Sequence, residues 1–219
     1  LNKNHSNSFF MNLAFKQAMI NLGNTNDNPS VGCIITKNNN VISAGFTSLN
    51  GRPHAEYNAI NNSREKLANS NLYVTLEPCS HYGKTPPCVK KIIKKKIKKV
   101  YFSVNDPDLR SFKKSYKKFR NLNIYVNTGV FSNRIKQFYK SYILYKENKL
   151  PFVTCKLAIS KDYFTINKKK KWITNKYSRG RVHLMRSNHD SIITSSNTIK
   201  IDNPSLNCRI NGLEKTSPS

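Results

Sequence analysis

Acidic residues are scarce in this chain of 219 residues, where 11 Asp and Glu stand against 38 Lys and Arg and leave a formal net charge of +27. Such an excess ordinarily points to a nucleic-acid partner. No RNA-binding motif accompanies it, however. The lysines fall in runs such as Lys94–Lys96 and Lys168–Lys171, interleaved with Asn and Ile, as a composition biased by AT-rich codons would produce. The charge is therefore read as implying no nucleic-acid partner, and it suits a phosphorylated small molecule equally well. Cysteine is also sparse, and its count of five is odd, which argues against a secreted disulfide framework. Neither a run of about 18 apolar residues nor a signal-type apolar segment at the N-terminus is present. These absences predict a soluble, cytoplasmic protein with no membrane partner. The first residue is Leu1 rather than Met, which leads us to expect a missing N-terminal piece or an unusual start.

Against that background, His54-Ala55-Glu56, Pro78-Cys79 and Pro86-Pro87-Cys88 carry the most information. One imidazole and two thiolates can hold a zinc ion and leave its fourth position open, which distinguishes catalytic from structural zinc. Zinc lowers the pKa of a bound water from 15.7 to roughly 7, giving a nucleophile at neutral pH. Glu56, two residues after the His, is read as the proton shuttle rather than as a ligand. His-x-Glu followed by Pro-Cys is the signature of zinc-dependent deaminases. A structural site with Cys33 as fourth ligand is the competing reading. Cys33 lies in the apolar run Val31–Ile35, which reads as a buried strand. Cys155 and Cys208 have no companion at ligand spacing and are expected to be packing thiols.

Spacing narrows the class further. Deaminases of free cytidine or nucleic acid generally carry Cys-x-x-Cys, whereas eight residues, Ser80–Pro87, separate Cys79 from Cys88 here. His81, Lys84 and Thr85 in that segment are candidates to grip a polar, phosphorylated substrate, and Gly83 permits a tight turn.

The stretch Thr75–Cys88 resembles the hallmark of the bifunctional deaminase/reductase family of riboflavin biosynthesis, and the resemblance runs from about Phe10 to the end of the chain. It implies hydrolytic removal of the 2-amine from 2,5-diamino-6-(5-phosphoribosylamino)pyrimidin-4-one in a zinc-dependent domain, and reduction of the ribosyl group with NADPH in a second one. Asn28 matches a family position that touches the substrate, although it also suits a turn before a strand. Two departures are expected to weaken binding before chemistry. Thr47 stands where the family has a His, and Asp108 stands where it has an Asn. In the later region Ala158, Trp172, Thr198 and Asp202 match NADP-contacting positions, while Lys170, Arg186, Leu206 and Arg209 match ribosyl-substrate positions. Tyr163, Asn203 and Lys168–Lys171 depart from that pattern.

Periodicity supplies the expected elements. Phe10, Leu13, Ala14, Ala18 and Leu22 recur at helical spacing. Strands are expected at Val31–Ile35 and Val41–Phe46 as a hairpin, then at Leu72–Thr75, Val100–Val104 and Ile124–Val126. His54 opens a helix carrying Ala55, Ala59, Ile60 and Leu67. Pro86-Pro87 begins another, which puts Cys88 near a helix N-terminus. Alternating strands and helices predict an α/β fold, and the resemblance implies a three-layer αβα cytidine deaminase-like domain with a mixed sheet. The expected organisation is a deaminase domain over 1–148, a linker over 149–151 and the first part of an α/β reductase-like domain over 152–219, opened by a strand at Phe152–Ser160. Because fewer than 70 residues follow the linker, a truncated reductase part is expected, inactive unless another chain completes it. A homo-oligomer or a complementing reductase chain are the partners this allows. A nucleic-acid deaminase and a decayed, non-catalytic zinc protein are the alternative functions.

Overall fold

The computed structural model describes residues 3–165 and 172–218. The chain divides into two compact units, the first running to Phe152 and the second starting at Val153.

In the first unit, helix α1 (Lys3–Ala18) leads to a hairpin of β1 (Gly32–Lys37) and β2 (Asn40–Phe46). Helix α2 (Ala55–Asn62) and strand β3 (Asn71–Leu76) follow, then α3 (Cys88–Lys94), β4 (Lys99–Val104), α4 (Lys114–Asn121) and β5 (Tyr125–Thr128). Helices α5 (Ser132–Phe138) and α6 (Lys140–Asn148) close the unit. The five strands form one mixed sheet in the order β2-β1-β3-β4-β5, with β1 antiparallel to β2 and β3 and the remaining pairs parallel. Parallel pairing requires crossovers, which α3 and α4 provide. Helix α1 packs on β1 and β3, and α5 on β4, while α2 packs on β2 and β1 and also touches α3, which touches α4. This is the expected three-layer α/β arrangement.

Two glycines allow the helices to approach the hairpin from opposite faces. A Cβ on Gly32 would lie 1.9 Å from the Ala14 carbonyl oxygen of α1, and one on Gly45 would lie 2.3 Å from the Ala59 nitrogen of α2. The core fills both faces of the sheet: Phe10 of α1 packs on Tyr73, whose ladder neighbours are Ile34 and Tyr101, while Ile35, Leu72, Val74, Val100 and Phe102 are buried on the opposite face. Cys33 is fully buried in β1.

The second unit contains helices α7 (Lys176–Ser187) and α8 (Ser196–Asp202). The strand expected at Phe152–Ser160 is not formed, because no described residue of this unit pairs with it in a ladder. Cys155, expected to pack, is exposed, whereas Cys208 is buried. In the first unit, Leu22 and Leu67 lie beyond the ends of α1 and α2, so both helices are shorter than the apolar spacing suggested. No helix among the described residues is long and apolar enough to cross a membrane.

Candidate metal centre and its cleft

Two helix N-termini converge on the site. His54 is the N-cap residue of α2, Glu56 lies in its first turn, and Cys88 is the first residue of α3 after Pro87. Cys79 follows β3, and its position is fixed from α3: the Cys88 amide donates to its sulfur at 3.3 Å and the Val89 amide to its carbonyl at 3.2 Å. The positive ends of both helices therefore face the ligand atoms, an arrangement that favours thiolate.

Ligand atoms of His54, Cys79 and Cys88 all lie within 4.8 Å of one another. The Nδ1 of His54 is 3.6 Å from the Cys79 sulfur and 3.5 Å from that of Cys88. A tetrahedral zinc with its usual bond lengths sets nitrogen and sulfur ligands about 3.5 Å apart, so this donor set fits such an ion. Cys33 stands outside the group.

The charges of the trio depend on one another. A hydrogen bond from Cys88, together with His54, brings Cys79 down to about 4, while that same bond and burial push Cys88 well above the usual thiol range. A bound metal would deprotonate both. Burial opposes a charge on His54, yet its hydrogen bond to Cys79 and the nearby Glu56 and Cys79 charges leave it raised overall. Burial, reinforced by the Cys79 charge, lifts the Glu56 carboxyl to about 7. Glu56 is 4% exposed and lines the same cleft as His54 and Cys79.

That cleft encloses about 450 Å³. Asn28, His81 and Lys84 line it as the sequence suggested, and so does Thr47. The backbone of Asn28 also closes a turn with Thr25, ahead of β1. Thr47 accepts a hydrogen bond from the Val31 amide at 2.9 Å, a structural duty. His81 is hydrogen-bonded through Nδ1 to Ser111 Oγ at 2.9 Å, and partial burial, then the nearby Arg110 charge, lowers its pKa. Thr85 does not line the cleft, and its hydroxyl accepts from Arg52, which does.

Several cleft residues escaped the sequence reading. Glu77, buried beside Pro78, accepts from the Asp106, Lys113 and Ser115 amides and from the Ser115 hydroxyl at 2.7 Å. Those bonds tie segment 106–115 to the metal loop. Asp106 accepts from the Asp108 amide and from the Tyr142 hydroxyl at 2.9 Å, and burial raises its carboxyl to about 6. Asp108, the departure named in the sequence, also lines the cleft and is held by Arg110 and Lys146, which were not foreseen. Tyr142 and Lys146 share one face of α6 at i, i+4, which was the only signal available in the sequence.

In the second unit, Arg186 and Arg209 converge on Asn207, to which they donate at 3.0 and 2.9 Å, with Leu206 adjacent in sequence. Thr198 sits at the start of α8, where its amide bonds the Ser195 hydroxyl, and Asp202 is the last residue of that helix. The Arg179 guanidinium lies 4.9 Å from the Trp172 ring, and Ala158 is in the unpaired stretch. Lys170 falls outside the described residues.

The sequence profile of the cytidine and deoxycytidylate deaminase zinc-binding region matches residues 4–104, which contain His54, Glu56, Cys79 and Cys88, and that of the RibD C-terminal domain matches residues 151–218. The chain belongs to the RibD family of riboflavin biosynthesis proteins. It is 37% identical over 204 residues to the riboflavin biosynthesis protein RibD of Bacillus amyloliquefaciens, covering 92% of this chain and 55% of that one. The RibD of Escherichia coli is 32% identical, with 94% and 57% covered. Among solved structures, a diaminohydroxyphosphoribosylaminopyrimidine deaminase/5-amino-6-(5-phosphoribosylamino)uracil reductase from Thermotoga maritima superimposes with a TM-score of 0.90 at 38% identity, covering 96% of this chain and 61% of that one. The chain thus spans a little over half the length of its curated relatives.

Proposed function

We propose that this chain performs the zinc-dependent hydrolytic deamination of 2,5-diamino-6-(5-phosphoribosylamino)pyrimidin-4-one to 5-amino-6-(5-phosphoribosylamino)uracil and ammonia. The observation that carries the reading is the placement of His54 Nδ1 at 3.6 and 3.5 Å from the two sulfurs, on the same cleft as a buried carboxyl. Family membership and the eight-residue segment between Cys79 and Cys88 add support.

In this reading His54, Cys79 and Cys88 hold zinc, which when bound supplies Lewis-acid activation of water at neutral pH. Glu56 accepts one proton from the attacking water and gives it to a ring nitrogen, then carries the remaining hydroxyl proton to the departing amine. The C–N bond to the 2-amine breaks, ammonia leaves and a ring carbonyl remains. A carboxyl lifted to about 7 suits this double duty, because it both accepts and releases protons near neutral pH. Burial that excludes bulk water is the cause of that shift. Asn28, His81 and Lys84 bind the substrate, with Thr85 steadying Arg52 beside them.

The domain boundaries follow the same reading: a deaminase domain over 1–148, a linker over 149–151 and a reductase-like region over 152–219. In that last region Ala158, Trp172, Thr198 and Asp202 would meet NADPH, and Lys170, Arg186, Leu206 and Arg209 the ribosyl substrate. The match to the RibD C-terminal domain supports this. The partner is a small molecule rather than a nucleic acid, acted on in the cytoplasm, in keeping with five cysteines that form no disulfide. Ammonia release from the diaminopyrimidinone phosphate by metal-replete protein, lost on chelation and restored by zinc, is the expected result. Equal release before and after chelation would refute the reading.

A further inference from the structure

One wall of the cleft holds a charge arrangement that proton transfer at Glu56 does not use. The Asp108 side chain lines the cleft and is only 12% exposed. Arg110 lies across its carboxylate as a fork, with Nε 2.9 Å from Oδ1 and Nη2 2.6 Å from Oδ2. From the other side Lys146 of α6 brings its Nζ to 3.5 Å from Oδ2. These are the only ion pairs among the described residues, in a chain of 38 Lys and Arg, and both fall on one carboxylate. Arg110 Nη1 makes no hydrogen bond among the described residues, and the side chain is 63% exposed.

An uncompensated carboxylate in such a wall would repel an anionic ligand. At separations of several ångströms and an effective dielectric near 20, that repulsion costs about ten- to a hundredfold in affinity. One cation would only cancel the Asp108 charge; two leave the group of Asp108, Arg110 and Lys146 net positive beside the Asp106 carboxyl. A guanidinium can also bind one oxyanion through two of its N–H groups while offering the rest to a second.

We propose that Arg110 and Lys146, braced on Asp108, set the preference of this cleft for a phosphate-bearing substrate, with Arg110 Nη1 contacting the phosphate. This rests on the deaminase reading above and adds to it the determinant of phosphate recognition. An ion pair that served only the fold would affect melting and leave the discrimination between phosphorylated and unphosphorylated substrate alone.

The test compares steady-state ammonia release by the metal-replete full chain from the diaminopyrimidinone phosphate and from its dephosphorylated form. In Arg110→Ala, KM for the phosphorylated substrate should rise about tenfold or more, with kcat within about twofold and KM for the dephosphorylated form unchanged. Arg110→Lys, which keeps the charge and loses the fork, should fall between. Adding Asp108→Asn to Arg110→Ala removes the repelling carboxylate and should restore most of the KM, because Lys146 then gives that group the same net charge as in the wild type. A KM that does not move in Arg110→Ala, that moves equally for both substrates, or that stays high in the double variant would overturn the proposal. Calorimetric binding of ribose 5-phosphate against ribose reads the same discrimination without turnover. A wild type that favours ribose 5-phosphate through Arg110 yet releases no ammonia would sink the deaminase reading alone.

Discussion

In the first unit a mixed sheet is sandwiched between helices, and side chains such as Met11, Ile35, Leu72 and Phe102 are fully or almost fully buried. In the second, Cys208 is the only buried hydrophobic residue among those described, while Val153, Leu157, Phe164, Tyr177 and Ile193 are exposed. The difference bears directly on chemistry. Dense packing holds side chains in single rotamers, and a catalytic group works only when its neighbours fix it. His54, Glu56, Cys79 and Cys88 all stand on elements anchored in the first core. Arg186 and Arg209 converge through one backbone carbonyl and one side chain of Asn207 on an open surface.

Glu56→Gln gives the largest expected effect. It preserves size and burial while removing the proton acceptor, so ammonia release should fall about a hundredfold or more, with zinc content unchanged by elemental analysis. Undiminished turnover would mean that the first unit is a rigid zinc scaffold without catalytic use, as the decayed-protein alternative holds. The corresponding charge removal in the second unit, Arg186→Gln, should leave ammonia release unchanged.

Next in size comes a pH effect at Asp106. Burial raises this carboxyl to about 6 in the folded chain, above its ordinary value, so the folded state binds the proton more tightly than the unfolded one. Its contribution to stability is therefore full below about pH 4 and is lost as pH rises through about 6. Asn at this position can still accept from the Asp108 amide and the Tyr142 hydroxyl, and it cannot ionise. Urea denaturation of Asp106→Asn and wild type should diverge between pH 4 and 7, with the variant gaining up to about 2–3 kcal/mol at neutral pH. Parallel curves would show that Asp106 is not desolvated as the packing against Tyr142 implies.

What could be read in the sequence follows the same division. The metal trio and Glu56 were legible because they fall in the short local patterns His-x-Glu and Pro-Cys, and the strands of the first unit because runs such as Cys33–Ile35 and Val100–Val104 are buried on both faces. Glu77, Arg110, Tyr142 and Lys146 were not, because their partners lie across folds in the chain that no local pattern encodes. Tyr142 reaches Asp106 over 36 positions and Glu77 reaches Ser115 over 38. Phe152–Ser160 has the composition of a strand, yet composition supplies no partner, and without a ladder the segment stays irregular. Thr85 meets Arg52 over 33 positions, another contact that no local pattern encodes.

The smallest effect sharpens the comparison by making one substitution in both units. At Gly45 an added Cβ would sit 2.3 Å from the Ala59 nitrogen and 2.4 Å from the Ala55 carbonyl oxygen, atoms of the helix that carries Glu56. Backbone cannot yield as a side chain can, so Gly45→Ala should destabilise the chain by about 1–3 kcal/mol and lower kcat by tilting α2. Gly180 lies inside α7 with nothing within 4 Å of its would-be Cβ. There Ala relieves the helix of glycine's backbone entropy, so Gly180→Ala should stabilise α7 by up to about 1 kcal/mol. Hydrogen exchange followed by mass spectrometry reads both: faster exchange in α2 and β2 for the first variant, slower exchange confined to α7 for the second. If the two substitutions act in the same direction, the contrast in packing between the units is not what governs their response.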